Sequence, residues 1–368
     1  MNVIFDYQIF AEHEYGGISR YFRALAEELC ALPSIRAKIL SPLYVNRYVR
    51  SAPADLIAGA YVRPGRGRRR LILATSGLAF RASLPFFRPD IVHETYYAGR
   101  PATYPSRVRR VLTVFDMIHE RCAQDFDSAE QFSAAKAKAI QRADHLFCIS
   151  ECTKRDLMDI LGVPASKITV TYLAADPLPL PQYAASELTG VSPYLLYVGG
   201  RGGYKNFDNL LKAYAASSWL HENFRLVCFG GGRFSQEELQ AFVDLGLSAG
   251  QVVHVGGEDE VAAALYRGAA AFIYPSRYEG FGIPLLEAMS LDCPVICSSA
   301  ASIPEVVGTA GAYFDSHQVD SIRDVLESTL QSRDTLTKLV ETGRRQRTLF
   351  SWSRCAAETH KIYQELMK

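Results

Sequence analysis

The 368-residue chain has no apolar run near the roughly 20 residues that span a bilayer. Its start, "MNVIFDYQIF", carries no positive leader and meets acids at once, so no secretory signal is expected. Its eight cysteines form no CxxC pair. Cys148 and Cys152, like Cys293 and Cys297, are four apart, but no histidine cluster completes a zinc set. Scattered buried thiols in a reducing cytoplasm are therefore expected. Charge of one sign is missing too: 40 Lys+Arg face 39 Asp+Glu, net +1, so a whole-chain nucleic-acid binder is excluded. Neither a Walker A loop nor G-x-G-x-x-G occurs, and no solenoid repeat appears.

What is present is an ordinary globular composition, 48% apolar and 21% charged, at a length that suits two domains. Charge is unevenly placed. Residues 1–178 hold 24 Lys+Arg and 18 Asp+Glu, net +6; subtracting from 40 and 39 leaves 16 and 21, net −5. The excess concentrates in "RPGRGRRR", residues 63–70. Such a run reads either as a solvated loop or as contact with an anionic membrane or anionic acceptor.

The chain alternates short β runs with amphipathic helices. "NVIFDY", "DIVHETYY", "RRVLTVFDMIH", "ADHLFCIS" and "ITVTYLA" read as strands of a first series. "GGISRYFRALAEELCAL" reads as a helix entered through a glycine turn, and "ECTKRDLMDILG" as one capped by Ser150. Residues 176–193 are proline-rich and aperiodic, as in an interdomain linker. A second series follows: "YLLYVGG", "FRLVCFGGG", "VVHVGG", "AAFIYP" and "PVICSS", with helices starting near Asn206, Ser235, Asp259 and Pro284. Regular alternation of this kind predicts an α/β chain of two Rossmann-like doubly wound domains, 1–178 and 179–350, facing a cleft. The last segment, 351–368, reads as an amphipathic helix with Ala356, His360, Tyr363 and Met367 in its stripe.

Polar residues of the second half gather at strand ends. "VGGRGGYKN" puts Arg201 and Lys205 on a glycine-rich loop, where backbone N–H groups and two cations can meet a phosphate. "EGFGIPLLEAM" adds Glu279 and Glu287 around a turn, with Pro284 at a helix start. The amides of Ile283 and Leu285 then lie where anions bind. A carboxylate at Glu287 can accept hydrogen bonds from vicinal hydroxyls, as of a ribose. Glu279 can face a sugar. The stretch makes sense if it holds one ligand made of a sugar, a pyrophosphate and a ribose. "DFD" at 125–127 sits in an expected loop and forms no credible metal pair, so neither a metal nor a cofactor is expected.

With "VGGRGGYKN", "VVHVGGEDEVAAALYRGAAAFIYPSRYEGFGIPLLEAM" and "PVICSSAASIPEVVGTAGAYFD", residues 198–308 closely resemble family 4 glycosyltransferases, retaining enzymes of the GT-B fold. Glu279 and Glu287 match that family's E-x7-E pair. "FDYQIFAEHEYGGISRYF" is similar to a bacterial subgroup that builds O-antigen and other surface polysaccharides with mannosyl or rhamnosyl donors. The resemblance implies catalytic roles for Glu279 at the sugar and for Arg201 and Lys205 at the pyrophosphate, with Glu287 on the ribose. It implies that Gly280, Phe281, Gly282 and Ile283 offer amides to the donor, that Gly16 and Gly17 approach the phosphate across the cleft, and that Gly256 and Glu258 line the base pocket. It implies that helix 351–368 returns to the first domain, which binds acceptor.

One position departs from the family pattern: "TVFDMIHE" has Phe115 where a histidine often precedes the aspartate. His119, three residues after Asp116, and His93, at the end of an earlier strand, are then the alternatives for the polar contact near the sugar. The implied activity is metal-independent hexosyl transfer, from GDP-mannose above other donors, to a saccharide or lipid-linked acceptor at the cytoplasmic face. A non-catalytic glycan-binding protein, or a GT-B phosphorylase or epimerase, would be built from the same parts.

Overall fold

A computed structural model describes residues 1–65, 67–97, 102–179, 185, 187, 190 and 193–368. Arg66, and most of the proline-rich stretch 180–192, lie outside the described residues. The chain divides into two compact units, Met1–Leu173 with Ser351–Lys368, and Ala174–Phe350.

The first unit is built on seven parallel strands: β1 (Asn2–Phe5), β2 (Arg36–Tyr44), β3 (Ile57–Tyr61), β4 (Ile91–Glu94), β5 (Arg109–Val114), β6 (His145–Cys148) and β7 (Ile168–Val170). Their order is β3-β2-β1-β4-β5-β6-β7. Central strands β4 and β6 are buried along their whole length, as expected of a parallel sheet covered on both faces. β2 and β3 are absent from the sequence reading. β2 carries Arg36, Lys38 and Pro42, and β3 is half exposed with Gly59, so neither gives a clean apolar run. Gly59 is required: a Cβ there would lie 1.7 Å from the carbonyl oxygen of Ser41.

The helices of this unit include α1 (Gly17–Cys30), α2 (Arg69–Phe87), α3 (Ala129–Arg142) and α4 (Glu151–Leu161). Ser150 caps α4, accepting from the Thr153 amide at 3.0 Å. In α2, Phe80 and Leu84 pack with Ile4, Leu40 and Val92 over the sheet. The arginine run therefore does not stay a loop to its end; Arg69 and Arg70 are its last residues and the first of α2. The terminal helix, Trp352–Leu366, belongs to this unit. It buries Cys355, Ala356, Thr359 and Tyr363, whereas Met367 is exposed, so its buried stripe runs one step away from the expected one.

The second unit carries β8 (Tyr194–Val198), β9 (Arg225–Phe229), β10 (Val252–Val255), β11 (Ala271–Tyr274), β12 (Val295–Ser298) and β13 (Gly311–Phe314), all parallel, in the order β10-β9-β8-β11-β12-β13. Its helices include α5 (Phe207–Ala215), α6 (Gln236–Asp244), α7 (Asp259–Gly268) and α8 (Ile283–Ser290). Ser235 and Glu238 form a capping box at the start of α6. Each sheet reverses its direction of winding once, between β1 and β4 and between β8 and β11. Open α/β sheets bind ligands at that switch, outside the carboxyl ends of the strands.

Candidate functional site

In the second unit the two strands at the switch, β8 and β11, are hydrogen-bonded neighbours. The loops leaving their carboxyl ends are stitched together. The Arg277 amide donates to the Tyr204 carbonyl at 2.8 Å, and the Arg277 guanidinium to the Gly203 carbonyl at 3.1 Å. Asn206, in the left-handed region at φ 59°, donates through Nδ2 to the carbonyls of Pro275 and Ser316 at 3.0 and 2.7 Å. It thereby ties the ends of β8, β11 and β13 to one side chain.

This stitching brings Lys205 and Glu279, 74 positions apart, into an ion pair of 2.7 Å between Nζ and Oε1. Glu279 is nearly buried and Lys205 is partly exposed. Tyr274, fully buried, also hydrogen-bonds Glu279; burial first, and then that carboxylate, hold its phenol well above the ordinary range. The loop after Glu279 is braced from β12's side of the sheet. Ser302 Oγ donates to the carbonyls of Glu279 and Phe281 at 2.9 and 3.2 Å. Phe281 is buried edge-on against Phe350.

Gly282 begins α8 at φ 105°, a conformation that favours glycine. Pro284 follows, where no N–H is needed. The Leu285 amide donates to the Gly282 carbonyl at 3.0 Å, so it is committed within the first turn. Glu287 is half-buried and accepts from the Tyr266 phenol of α7 at 3.2 Å.

Arg201 is placed differently from Lys205. Its guanidinium is buried over the Phe234 ring and donates to Glu238 (Nε–Oε1 2.5 Å) and to the carbonyls of Gly230, Gly232 and Arg233 at 3.1, 3.0 and 3.2 Å. Burial is the largest influence and disfavours its charge, but the Glu238 hydrogen bond and the Glu238 charge, with smaller contributions from Cys228 and Tyr197, together outweigh it and raise the pKa. Gly231 permits the approach: a Cβ there would stand 2.7 Å from the Gly199 carbonyl and 2.9 Å from Arg201 Nη1. Arg201 thus fixes the loop after β9 to the loop after β8. Gly256 and Glu258 lie on an exposed turn after edge strand β10, with β9 and β8 between them and β11.

The other expected residues belong to the first unit. Gly16 is the N-cap of α1 at φ 149°, and Gly17 starts the helix; both are exposed. His93 is a core residue. Its ring nitrogens meet Tyr363 Oη at 2.6 Å and Thr113 Oγ1 at 2.8 Å, and burial pushes its pKa down to about 3. His119 is not on a strand. Asp116 accepts from the Ile118 amide at 3.1 Å, ending β5 and starting the short helix Ile118–Arg121.

The His119 ring stacks on Phe126 and Phe132, with centroids 4.3 and 4.0 Å away. Burial and the nearby Lys136 ammonium lower its pKa. It lines a cavity of about 780 Å³ at the switch of the first sheet, with Tyr7, His13, Tyr96, Tyr97, Phe132 and the α2 residues Arg69 and Arg81. Beneath this cavity Lys136, fully buried, binds Glu120 at 2.8 Å and the Asp116 carbonyl at 3.0 Å. No local sequence pattern signals this aromatic lining beyond the pair Tyr96–Tyr97 after β4.

Residues 15–177 match the family "Glycosyltransferase Family 4" and residues 184–346 the family "Glycosyl transferases group 1". The O-antigen chain mannosyltransferase B of Escherichia coli is 30% identical over 282 residues, covering 73% of this chain and 74% of that protein. The O-antigen chain mannosyltransferase RfbU of Salmonella typhimurium is 26% identical over 262 residues, 71% and 70% of the two chains. Among solved structures, Anabaena Alr3699/HepE in complex with UDP and glucose superposes with a TM-score of 0.75 over 99% of each chain at 15% identity, a likeness of fold.

Proposed function

The chain belongs to the group 1 and family 4 glycosyltransferases and has the GT-B fold, and from that premise we propose that it moves mannose from GDP-mannose, with retention and without a metal ion. The reading rests on one observation: Lys205 and Glu279 meet at the switch point of the second sheet, beside the start of α8. The named relatives supply the sugar, since both are O-antigen mannosyltransferases. The UDP complex of the fold neighbour supports a nucleoside diphosphate as the leaving part.

In this mechanism the donor pyrophosphate takes the Lys205 ammonium. Charge that grows on the departing GDP is met by that cation, by amides of Gly280–Ile283 and by the amino end of α8. Arg201 holds the glycine loops that shape the phosphate seat. Glu287 accepts from the ribose hydroxyls. Glu279, released from Lys205, faces the anomeric carbon as it becomes oxocarbenium-like. The acceptor hydroxyl attacks from the face the GDP leaves, its proton passing to the departing phosphate oxygen. Gly256 and Glu258 contact the base, and in the first unit His119 touches the acceptor.

The first unit takes the acceptor, a saccharide carried on a lipid, and the enzyme works at the inner face of the cytoplasmic membrane in surface-polysaccharide synthesis. The test is a binding panel with GDP, UDP, dTDP and ADP. A ligand that binds only the folded state raises stability by about 2.7 kcal/mol at a hundredfold excess over Kd. GDP should give the largest thermal shift; a larger shift with UDP or dTDP overturns the donor assignment.

A further inference from the structure

The outer face of α2 is unlike that of an ordinary surface helix. Leu71, Ala74, Leu78, Ala82, Pro85 and Phe86 share one exposed side, and Thr75 is its only polar member. Leu71, Leu78 and Phe86 are 68%, 69% and 85% exposed. They span about 22 Å along the axis at 1.5 Å per residue. Arg70 and Arg81, eleven residues apart, lie along one edge of the side, and Arg88 follows the helix. From residue 56 to residue 89 the chain contains seven arginines (63, 66, 68, 69, 70, 81 and 88) and no Asp, Glu or Lys. The opposite side of α2 packs on the sheet through Phe80 and Leu84, so the exposed side is not a core face left open.

We propose that α2 lies flat on an anionic bilayer, its apolar side entering the acyl boundary and its arginines meeting lipid phosphates. Charge selects this occupant. Arg69 is ion-paired with Glu12, but Arg70 and Arg81 along one edge and Arg88 beyond the end give the face a net positive border, which disfavours a second copy of itself, since like charges would be juxtaposed, and complements a phosphate-rich surface. No helix among the described residues is long and apolar enough to cross a membrane, so α2 lies on the surface rather than through it. The placement matters for the site. Ala74 and Leu78 of this side, and Arg81 at its edge, also line the cavity that holds His119 and Tyr97. With α2 on the bilayer, the cavity opens at the headgroup level, where a saccharide on a lipid phosphate is presented. This last step deepens the acceptor reading above; the docking itself stands without it.

The test uses the full chain and vesicles of phosphatidylcholine with and without phosphatidylglycerol, with neither donor nor acceptor present. The wild type should sediment with the anionic vesicles, less so as salt rises, and not with the neutral ones. Leu71→Ser with Phe86→Ser, two exposed positions away from the cavity lining, should lower partitioning on the order of tenfold or more, while the thermal midpoint and transfer to a soluble acceptor stay unchanged. Equal sedimentation of variant and wild type, or equal binding to neutral vesicles, overturns the proposal. So does a wild-type dimer in light scattering that the double variant abolishes, which would make this face a self-interface. Failure of sugar transfer with intact vesicle binding would instead fault the catalytic reading.

Discussion

Lys205 and Glu279 stand 2.7 Å apart, the cation from the loop after β8 and the carboxylate from the loop after β11. The two opposite charges neutralise each other. In the proposed reaction a donor pyrophosphate would compete with Glu279 for the ammonium, which would make binding and activation of the carboxylate one event. Lys205→Ala should lower kcat/KM on the order of a hundredfold or more, because a positioned charge facing the leaving group is lost. Glu279→Gln should act differently: kcat falls steeply while GDP affinity holds or rises, since the ammonium no longer has a rival. Steady-state kinetics with a GDP titration separates the two; equal losses of GDP affinity in both variants would contradict the exchange.

Glu287 is held by the Tyr266 phenol on the side of α8. A ribose contact is made in ground and transition states alike. Glu287→Ala should therefore raise KM for the donor with little change in kcat. A collapsed kcat at unchanged KM would remove Glu287 from the ribose.

The pair was half visible in the sequence. "EGFGIPLLEAM" and "VGGRGGYKN" each announced polar chemistry at a strand end. Their meeting depends on β8 and β11 being neighbours, a fact of strand order that no local pattern carries. Arg201 and Lys205 looked alike, both cations on one glycine loop. Only the fold separates them, sending Arg201 inward to Glu238 and Lys205 to Glu279. The capping box at Ser235 and Glu238 was readable as S-x-x-E; the second use of Glu238, as the anchor of Arg201, was not. β2, β3 and β13 were missed: β3 is an edge strand, where glycine and exposed positions blur the pattern, and β2 beside it is interrupted by Arg36, Lys38 and Pro42. The α2 face was hidden by the arginine run before it, which reads as a loop.

Asn206 offers a stability test. Its amide satisfies two carbonyls, Pro275 and Ser316, from a left-handed backbone position. Asn206→Ala leaves both without that donor and puts alanine at φ > 0, a cost of about 2–4 kcal/mol. Differential scanning calorimetry should show a midpoint lower by roughly 5–15 °C. A shift under a degree would mean the loops are held otherwise.

His93 sets a pH dependence in the first unit. Burial lowers its pKa from 6.5 to about 3, so the folded form binds fewer protons than the unfolded chain between those values. Stability from this group is present above about pH 6.5 and is lost as pH falls toward 3, at up to about 1.4 kcal/mol per pH unit. Its neighbour Glu94 works in the opposite sense: burial raises it to about 7, favouring the protonated fold below that pH. Removing His93 alone should unmask Glu94. In thermal melts from pH 7 to pH 5, His93→Gln should lose less stability than wild type; a parallel loss in both would show that His93 does not titrate on unfolding.

The most direct test is proton NMR of GDP-mannose incubated with the protein and a soluble mannoside acceptor in EDTA, followed at the anomeric signals. The account predicts GDP release matched by a new α-mannosyl signal, and loss of both in Glu279→Ala. A β-configured product, a requirement for added divalent metal, or donor binding without any GDP release in the wild type would contradict it.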